Sequence, residues 1–419
     1  MNSVPVRNAS VNLYKYVEAG EKGDAVEPRV QGRKGEDMTP SVHGIHHVTC
    51  IAGDAQENLD FYVGLLGMRL VKKSVNQDDP GTYHLFYADR VGNPGTDLTF
   101  FPWPRMEPGR LGIGLTIEVS FAIAPGSLDY WQERLQQYSV EFGIPEIRFG
   151  ETTLAFKDVH GLQLALVETS DERQFVPWEN SPVPAEHQLQ GMHSVRLWER
   201  KLDHTAKILT QRMGFALLGA EDGWHRYGVA GGGSGKLIEI KELPEEHRGQ
   251  WGTGAVHHVA WRVKDSDEQM SLREGIAKAG LRPSPQIDRF WFKSVYYKEP
   301  GGVLFELATD GPGFDRDEDM EHLGEQLILP PWLEAQRKEI EAGLPPLEMP
   351  RIEEIDNGKT HAQQDPDVST PSARLVGETG NSLDEAREWL IDEAARESFP
   401  ASDPPCWTLG REPPPDDPT

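Results

Sequence analysis

The sequence predicts an α+β protein whose centre holds four βαβββ modules, arranged as two cupped barrels. Three observations predict it. A strand-like segment with the core His-His-Val occurs twice, in GIHHVTCIAG from Gly44 and in AVHHVAWRV from Ala255. Each copy is followed by a capped helical segment and then by short β-rich runs. Two weaker segments, LTIEVSFAI and GMHSVRLWE, open the same order of elements between them. One such unit is an open curved sheet that cannot bury both faces, whereas two side by side form a cup with a cavity.

Residues 1–42 are polar, lack a sustained period and read as a disordered lead. Residues 43–170 read as an N-terminal domain of two modules. In the first, GIHHVTCIAG is a strand and DAQENLDFYVGLLGM a helix. Asp54 and Glu57 form a capping-box pattern, and Leu59, Tyr62, Val63 and Leu66 form one apolar face. RLVKKSV, TYHLFYAD and TDLTFF follow as strands. The second module runs from LTIEVSFAI through the helix GSLDYWQERLQQY to LQLALVE.

Residues 191–310 read as a C-terminal domain of two more modules. The third runs from GMHSVRLWE through KLDHTAKILTQRMGF to KLIEIKEL. The fourth begins at AVHHVAWRV, and its helix DSDEQMSLREGIAKAGL has Ser266 and Gln269 as the expected cap pair. FWFKSVYYKE and GGVLFELAT complete it. Residues 311–349 form an extension. Residues 350–419 are an acidic, Pro-rich tail with one short helix, SLDEAREWLIDEAARESF, and read as a disordered appendage.

The totals bound the function. With 419 residues, 37% hydrophobic and 26% charged, the chain reads as a soluble globular protein with sizeable cores. A formal charge of −26 opposes binding to nucleic acid or to an anionic membrane surface. It would also suit a high-salt cytoplasm. No apolar run has the length of a membrane span and the N-terminus lacks a signal-peptide core, so a cytoplasmic location is expected. Two cysteines, Cys50 and Cys406, exclude a disulfide framework and do not suggest a zinc knuckle.

Side chains alternate across a strand. His47 and Thr49 then share a face, and His46 points away unless a bulge intervenes. His258 and Ala260 share a face, as do Leu304, Glu306 and Ala308. A lone histidine in a strand is ordinarily a hydrogen-bonded core residue. Here His47 and His258 hold equivalent positions in two copies, and Glu306 lies between Phe305 and Leu307 in a strand suited to burial. An ionised carboxylate there needs a cation or a strong donor. Two histidines and a carboxylate make the facial triad of non-haem iron, with three positions left open.

The other copies lack this set. Aligning PGTDLTFF with PGGVLFEL puts Phe100 at the Glu306 position; Ser194 stands where His47 would, and Ala165 ends the second copy. Glu168 and His193 have no companions and read as structural. Ligands from copies one and four meet only if those copies share a barrel, so pairing of one with four and two with three is expected.

The paired HHV strands, DRFWFKSVYYKEPGGVLFELATDGPGF and EHLGEQLILPPWLE together resemble the hydroquinone-type ring-cleaving dioxygenases of the vicinal oxygen chelate (glyoxalase/bleomycin-resistance/dioxygenase) superfamily. The resemblance covers about residues 43–345, so 311–349 becomes a family extension. It implies the vicinal oxygen chelate fold and Fe(II) held by His47, His258 and Glu306. Mn(II) accepts the same ligands. It implies catalytic roles for His257, Tyr296 and Arg289, with His46 and Thr49 around the site. The implied reaction is extradiol-type cleavage of a small para-dihydroxylated ring, inserting both atoms of O2. His257 or His46 would take the phenolic proton, Tyr296 would hydrogen-bond the ring oxygen, and Arg289 would hold the distal hydroxyl. Packing for Tyr296 and ion pairing for Arg289 are the structural alternatives. A homo-oligomer is compatible with this reading.

Three rivals stand beside it. A glyoxalase-like isomerase needs a fuller ligand set, which Phe100 opposes. A metal-free binding protein of the same superfamily has no need for two histidines and a buried glutamate in register. A nucleotide-binding protein is suggested by AGGGSGKL at 230–237, but Leu237 follows Lys236 where Ser or Thr would hold magnesium, and no helix follows.

Overall fold

A computed structural model describes residues 41–350. Apart from Ser41, Val42 and Pro350, the predicted lead and tail, with the tail helix and Cys406, lie outside the described residues. The first module comprises β1 (Ile45–Ala52), α1 (Ala55–Leu59), β2 (Arg69–Val75), β3 (Tyr83–Ala88) and β4 (Asp97–Pro102). The second comprises β5 (Thr116–Ile123), α2 (Leu128–Gln137), β6 (Glu146–Arg148), β7 (Glu151–Lys157) and β8 (Gln163–Glu168). The third comprises β9 (Met192–Glu199), α3 (Leu202–Arg212), β10 (Phe215–Glu221), β11 (Trp224–Val229) and β12 (Leu237–Glu242). The fourth comprises β13 (Val256–Val263), α4 (Ser266–Lys278), β14 (Ile287–Asp288), β15 (Lys293–Lys298) and β16 (Leu304–Thr309). No helix among the described residues is long and apolar enough to cross a membrane.

The strands form two eight-stranded sheets, in the orders β14-β15-β16-β13-β1-β4-β3-β2 and β10-β11-β12-β9-β5-β8-β7-β6. Modules one and four therefore share one cup and modules two and three the other, as the ligand distribution predicts. Stretches 43–170 and 191–310 each contribute one module to each sheet. At each junction the modules' first strands pair antiparallel, β1 with β13 and β5 with β9.

Local chemistry explains most elements. Asp54 caps α1, its carboxylate accepting from the backbone N–H of Gln56 at 2.8 Å and of Glu57 at 3.0 Å. The helix then widens into a π-helical segment, Asp60–Leu65. The wider turn carries Phe61, Gly64 and Leu65 inward beside Tyr62 and Val63, so more than the predicted stripe is buried. For α4 the predicted cap is displaced by one residue. Asp265 is the N-cap and accepts from Asp267 and Glu268, both at 3.1 Å. The Ser266 hydroxyl instead accepts from Lys293, and the Gln269 amide donates to the carbonyls of Lys293 and Leu307.

The second cup is filled by ion pairs. Arg196 and Arg226 each meet Glu239 at 2.7 Å, Arg226 meets Glu151 at 2.7 Å, and Arg148 meets Glu118 at 2.6 Å. The register that places Thr49 opposite His258 in the first cup places Arg196 opposite Glu118 in the second.

The extension 311–349 covers the open edge of β2. Lys73 forms a parallel bridge with Leu327, and its carbonyl accepts from Ile328 N–H at 2.9 Å. Lys72, fully buried, reaches Asp317 at 2.8 Å, the Phe314 carbonyl at 3.1 Å, and Glu318. These partners stabilise a cation that the sheet alone would leave buried and unpaired.

A buried carboxyl pair joins the two sheets. Glu199 at the end of β9 and Glu299 after β15 share Thr205, whose hydroxyl donates to Glu299 at 2.6 Å and lies 3.3 Å from Glu199. Gly301 is required beside them, because a Cβ there would stand 1.8 Å from a Glu199 carboxylate oxygen.

Candidate metal centre

β1 and β13 lie at the middle of their sheet, and each paired histidine sits at an irregularity. Ile45 pairs with Trp261 and His47 with Ala260, which leaves His46 as the extra residue. Thr49 pairs with His258 and Cys50 with Val256, which leaves His257. A bulge changes which face a side chain takes. Both members of each pair can thus turn toward one another, which strict alternation forbids.

His47 Nε2 lies 3.3 Å from His258 Nε2, and Glu306 Oε2 lies 2.9 Å from His258 Nε2 and 3.4 Å from His47 Nε2. Candidate ligand atoms of the three residues all lie within 4.8 Å of one another. Ala260 stands between His47 and Glu306 in the ladder, where its small side chain leaves room. Glu306 is fully buried, and neither carboxylate oxygen has a hydrogen-bond donor. Burial opposes its ionisation, but His47 and His258 outweigh that and hold its pKa well below the usual carboxylate range. The short nitrogen–oxygen distances are close approaches without hydrogen-bond geometry. A buried carboxylate with no donor, facing two imidazole nitrogens, fits a divalent cation of mixed nitrogen and oxygen preference.

The neighbouring imidazoles orient the candidate ligands. His46 Nδ1 lies 2.9 Å from His47 Nδ1, and His257 Nδ1 lies 2.8 Å from His258 Nδ1. If His47 Nε2 offers a lone pair to a metal, its Nδ1–H donates to His46. The His46 proton is then on Nε2, where the Thr309 carbonyl accepts at 3.2 Å. Burial, reinforced by His47, lowers the His46 pKa to about 3. Burial, reinforced by His258, does the same for His257. Both stay neutral near pH 7 and can accept at Nδ1. His257 stacks on Trp251 at 4.7 Å between centroids.

The remaining predicted residues surround this group. Tyr296 pairs with Glu306 across the β15–β16 ladder, and its ring centroid is 5.5 Å from that of His258. Burial first, then Glu306, raises its pKa, so it keeps its proton. The Arg289 guanidinium lies 5.6 Å from the Tyr296 centroid and forms a forked pair with Asp78, at 3.2 and 2.8 Å. Burial works against its charge, but Tyr296 and Asp78 more than offset that. Thr49 Oγ1 lies 2.8 Å from Thr99 Oγ1, which lies 2.9 Å from His84 Nε2.

His84, Thr99 and Asp78 are site residues that sequence reasoning misses. His84 was readable only as one polar position inside TYHLFYAD, and Asp78 only as a turn acid in NQDDPG. The Phe100 alignment is corrected by one residue. Two positions beyond His47, Thr49 pairs with Thr99; two beyond His258, Ala260 pairs with Glu306. Thr99 therefore occupies the equivalent place, while Phe100 packs against Tyr62 of the first module's helix at 4.5 Å. The turn before β4 is offset by one residue from that before β16, and one residue reverses the face. Ser194 and Ala165 do stand at the expected places, opposite Ser120 in the second cup.

Glu168 and His193 are structural. Glu168 accepts from Gly126 N–H at 2.8 Å and Leu128 N–H at 3.1 Å at the start of α2, and His193 meets Glu151 at 3.1 Å. The glycine-rich loop connects β11 and β12, and Ser234 donates to Asp171 from its hydroxyl at 3.1 Å and from its backbone N–H. A carboxylate of the chain itself occupies the place a phosphate would need.

Residues 44–166 and 191–307 match the family model described as Glyoxalase/Bleomycin resistance protein/Dioxygenase superfamily. The chain is 42% identical over 316 residues to MhqO of Bacillus subtilis, provisionally named a ring-cleaving dioxygenase; the match covers 75% of this chain and 100% of that one. It is 34% identical over 305 residues to a chlorohydroquinone/hydroquinone 1,2-dioxygenase of Sphingobium indicum, covering 71% and 95%. A solved structure from Bacillus subtilis, provisionally described as a dioxygenase, superposes with a TM-score of 0.70 at 41% identity, covering 74% and 99%.

Proposed function

The chain belongs to the glyoxalase/bleomycin resistance protein/dioxygenase superfamily and, within it, to the ring-cleaving dioxygenases, and we propose that it opens a para-dihydroxylated ring with O2 at Fe(II) held by His47, His258 and Glu306. The observation that carries this reading is the buried, donor-less carboxylate of Glu306 beside two imidazole Nε2 atoms. The chemistry such a cation supplies is electron transfer between ring and O2, and Mn(II) meets the same ligand preferences.

The protein's own groups manage protons and orientation. His46 and Thr309 hold His47, and His257 holds His258. With its Nδ1 accepting from His258, a neutral His257 carries its own proton on Nε2 and serves as a hydrogen-bond donor there. Tyr296, kept protonated, donates to the ring oxygen, and Arg289 lies beyond it toward the distal hydroxyl. Phe86, Phe101 and Trp291 line the small cavity in front of His47 and His258 and exclude water from the ring. Both oxygen atoms remain in an extradiol-type product opened beside one hydroxyl-bearing carbon.

Oxygen uptake tests this. Protein loaded anaerobically with Fe(II) should consume one O2 per methylhydroquinone, and Glu306→Ala should abolish uptake. Uptake with catechol alone would keep the metal site but change the ring class. No uptake with either, despite bound iron, would reject the reading. The isomerase alternative is disfavoured by Thr99, which puts a hydroxyl where a fourth carboxylate ligand would be needed.

A further inference from the structure

Asp78 and Arg289 carry the only formal charges among the residues lining the cavity, apart from histidines that could be protonated. They come from opposite ends of the first cup's sheet. Asp78 lies in the turn between β2 and β3, and Arg289 directly follows β14. Their forked pair therefore spans the rim. Both partners are held: Asn76 accepts from Asp78 N–H at 2.9 Å, and Gln77 donates to the Arg289 carbonyl at 3.0 Å.

A free guanidinium in an aromatic-walled cavity is a fork for a carboxylate. Here both prongs are already taken. A ring bearing a carboxylate would enter without an uncompensated cation from these side chains and would meet the Asp78 charge at close range. Its desolvation would go unrepaid by the side chains at this rim. Asn76, Gln77, Phe86, Phe101 and Trp291 offer it no charge in return.

We propose that Asp78 is a specificity-determining residue: by occupying Arg289 it makes the site take uncharged dihydroxylated rings and reject carboxylated ones. This rests on the ring-cleaving reading above. Asp78 acts through Arg289 and is a positioning residue.

The test compares 2,5-dihydroxybenzoate with its methyl ester, which share the ring and differ by one charge. Binding of each to the full Fe(II)-loaded chain is measured by calorimetry under argon. The wild type should bind the ester at least tenfold more tightly. Asp78→Asn should shift that ratio at least tenfold toward the acid, and adding Arg289→Met should remove the shift. Equal affinities in the wild type would overturn the proposal. So would an unchanged ratio in both Asp78→Asn and Asp78→Ala when circular dichroism shows them folded. Should neither variant fold, the wild-type ratio decides. Methylhydroquinone-dependent oxygen uptake by the wild type is scored separately: its loss rejects the functional reading, whereas an equal ratio with uptake intact rejects only the role of Asp78.

Discussion

At the residue scale, two imidazoles outside the ligand set govern how the candidate ligands present themselves. His46 links His47 to the Thr309 carbonyl, and removing it frees the His47 ring to rotate and loses the acceptor for its Nδ1–H. His46→Ala should weaken Fe(II) binding by about 10–100-fold while the fold persists, measured by competition with a chelator. Circular dichroism unchanged together with unchanged metal affinity would remove this role. His47, His258 and Glu306 were legible because the first two recur at equivalent positions and the third interrupts an apolar strand. Asp78 and His84 were not. Their meaning comes from contacts with Arg289 and Thr99 across strand pairings, and nothing in their immediate sequence marks it. The Thr99 offset shows the limit of alternation: one residue of turn length decides which side chain faces the cavity.

At the element scale, periodicity and caps made the strands and helices legible, and both departures have local causes. Asp265 and Ser266 are both capping types, so the sequence does not say which stands at the helix start. The π-helical turn follows from burial of Phe61 and Leu65, which a helical wheel places off the main stripe. The junction of β9 with the turn after β15 carries a pH prediction. Burial first, then Glu299, raises the Glu199 pKa from 4.5 to about 9. The folded state holds a proton that the unfolded chain releases. Its stabilising contribution is therefore complete in acid and is lost as pH rises from about 4.5 to 9, by at most about 1.4 kcal/mol per unit. Glu199→Gln keeps a hydrogen-bonding group without the titration. It should exceed the wild type in stability at pH 8 and differ little at pH 5, measured by urea unfolding. Equal pH slopes for the two proteins would contradict a shared proton.

At the scale of the whole molecule, pairing of one with four and two with three was legible because three candidate ligands, from copies one and four, could meet only in a shared cup. The filling of the second cup was not. Glu118, Glu151, Arg196, Arg226 and Glu239 read singly as ordinary strand charges, and only the register makes them one network in the place of a cavity. Because 43–170 and 191–310 each contribute half of each sheet, neither should complete the metal centre alone. Chains 41–180 and 181–350 expressed separately should not bind Fe(II) tightly, and coexpression should restore binding, read by metal content after gel filtration. Tight binding by either fragment would show that one half can supply the centre.

The nesting of the modules also orders events during synthesis. Every strand of the second cup lies between residues 116 and 242, so its sequence is translated, and emerges from the ribosome, ahead of that of β13. The first module waits through that interval with its partner strand not yet delivered. The ion-filled cup can thus close first and hold β1 for the arriving fourth module. The candidate metal centre is complete only when Glu306, in the last strand of the fourth module, is delivered, so a nascent chain truncated before β16 lacks one of the three candidate ligands.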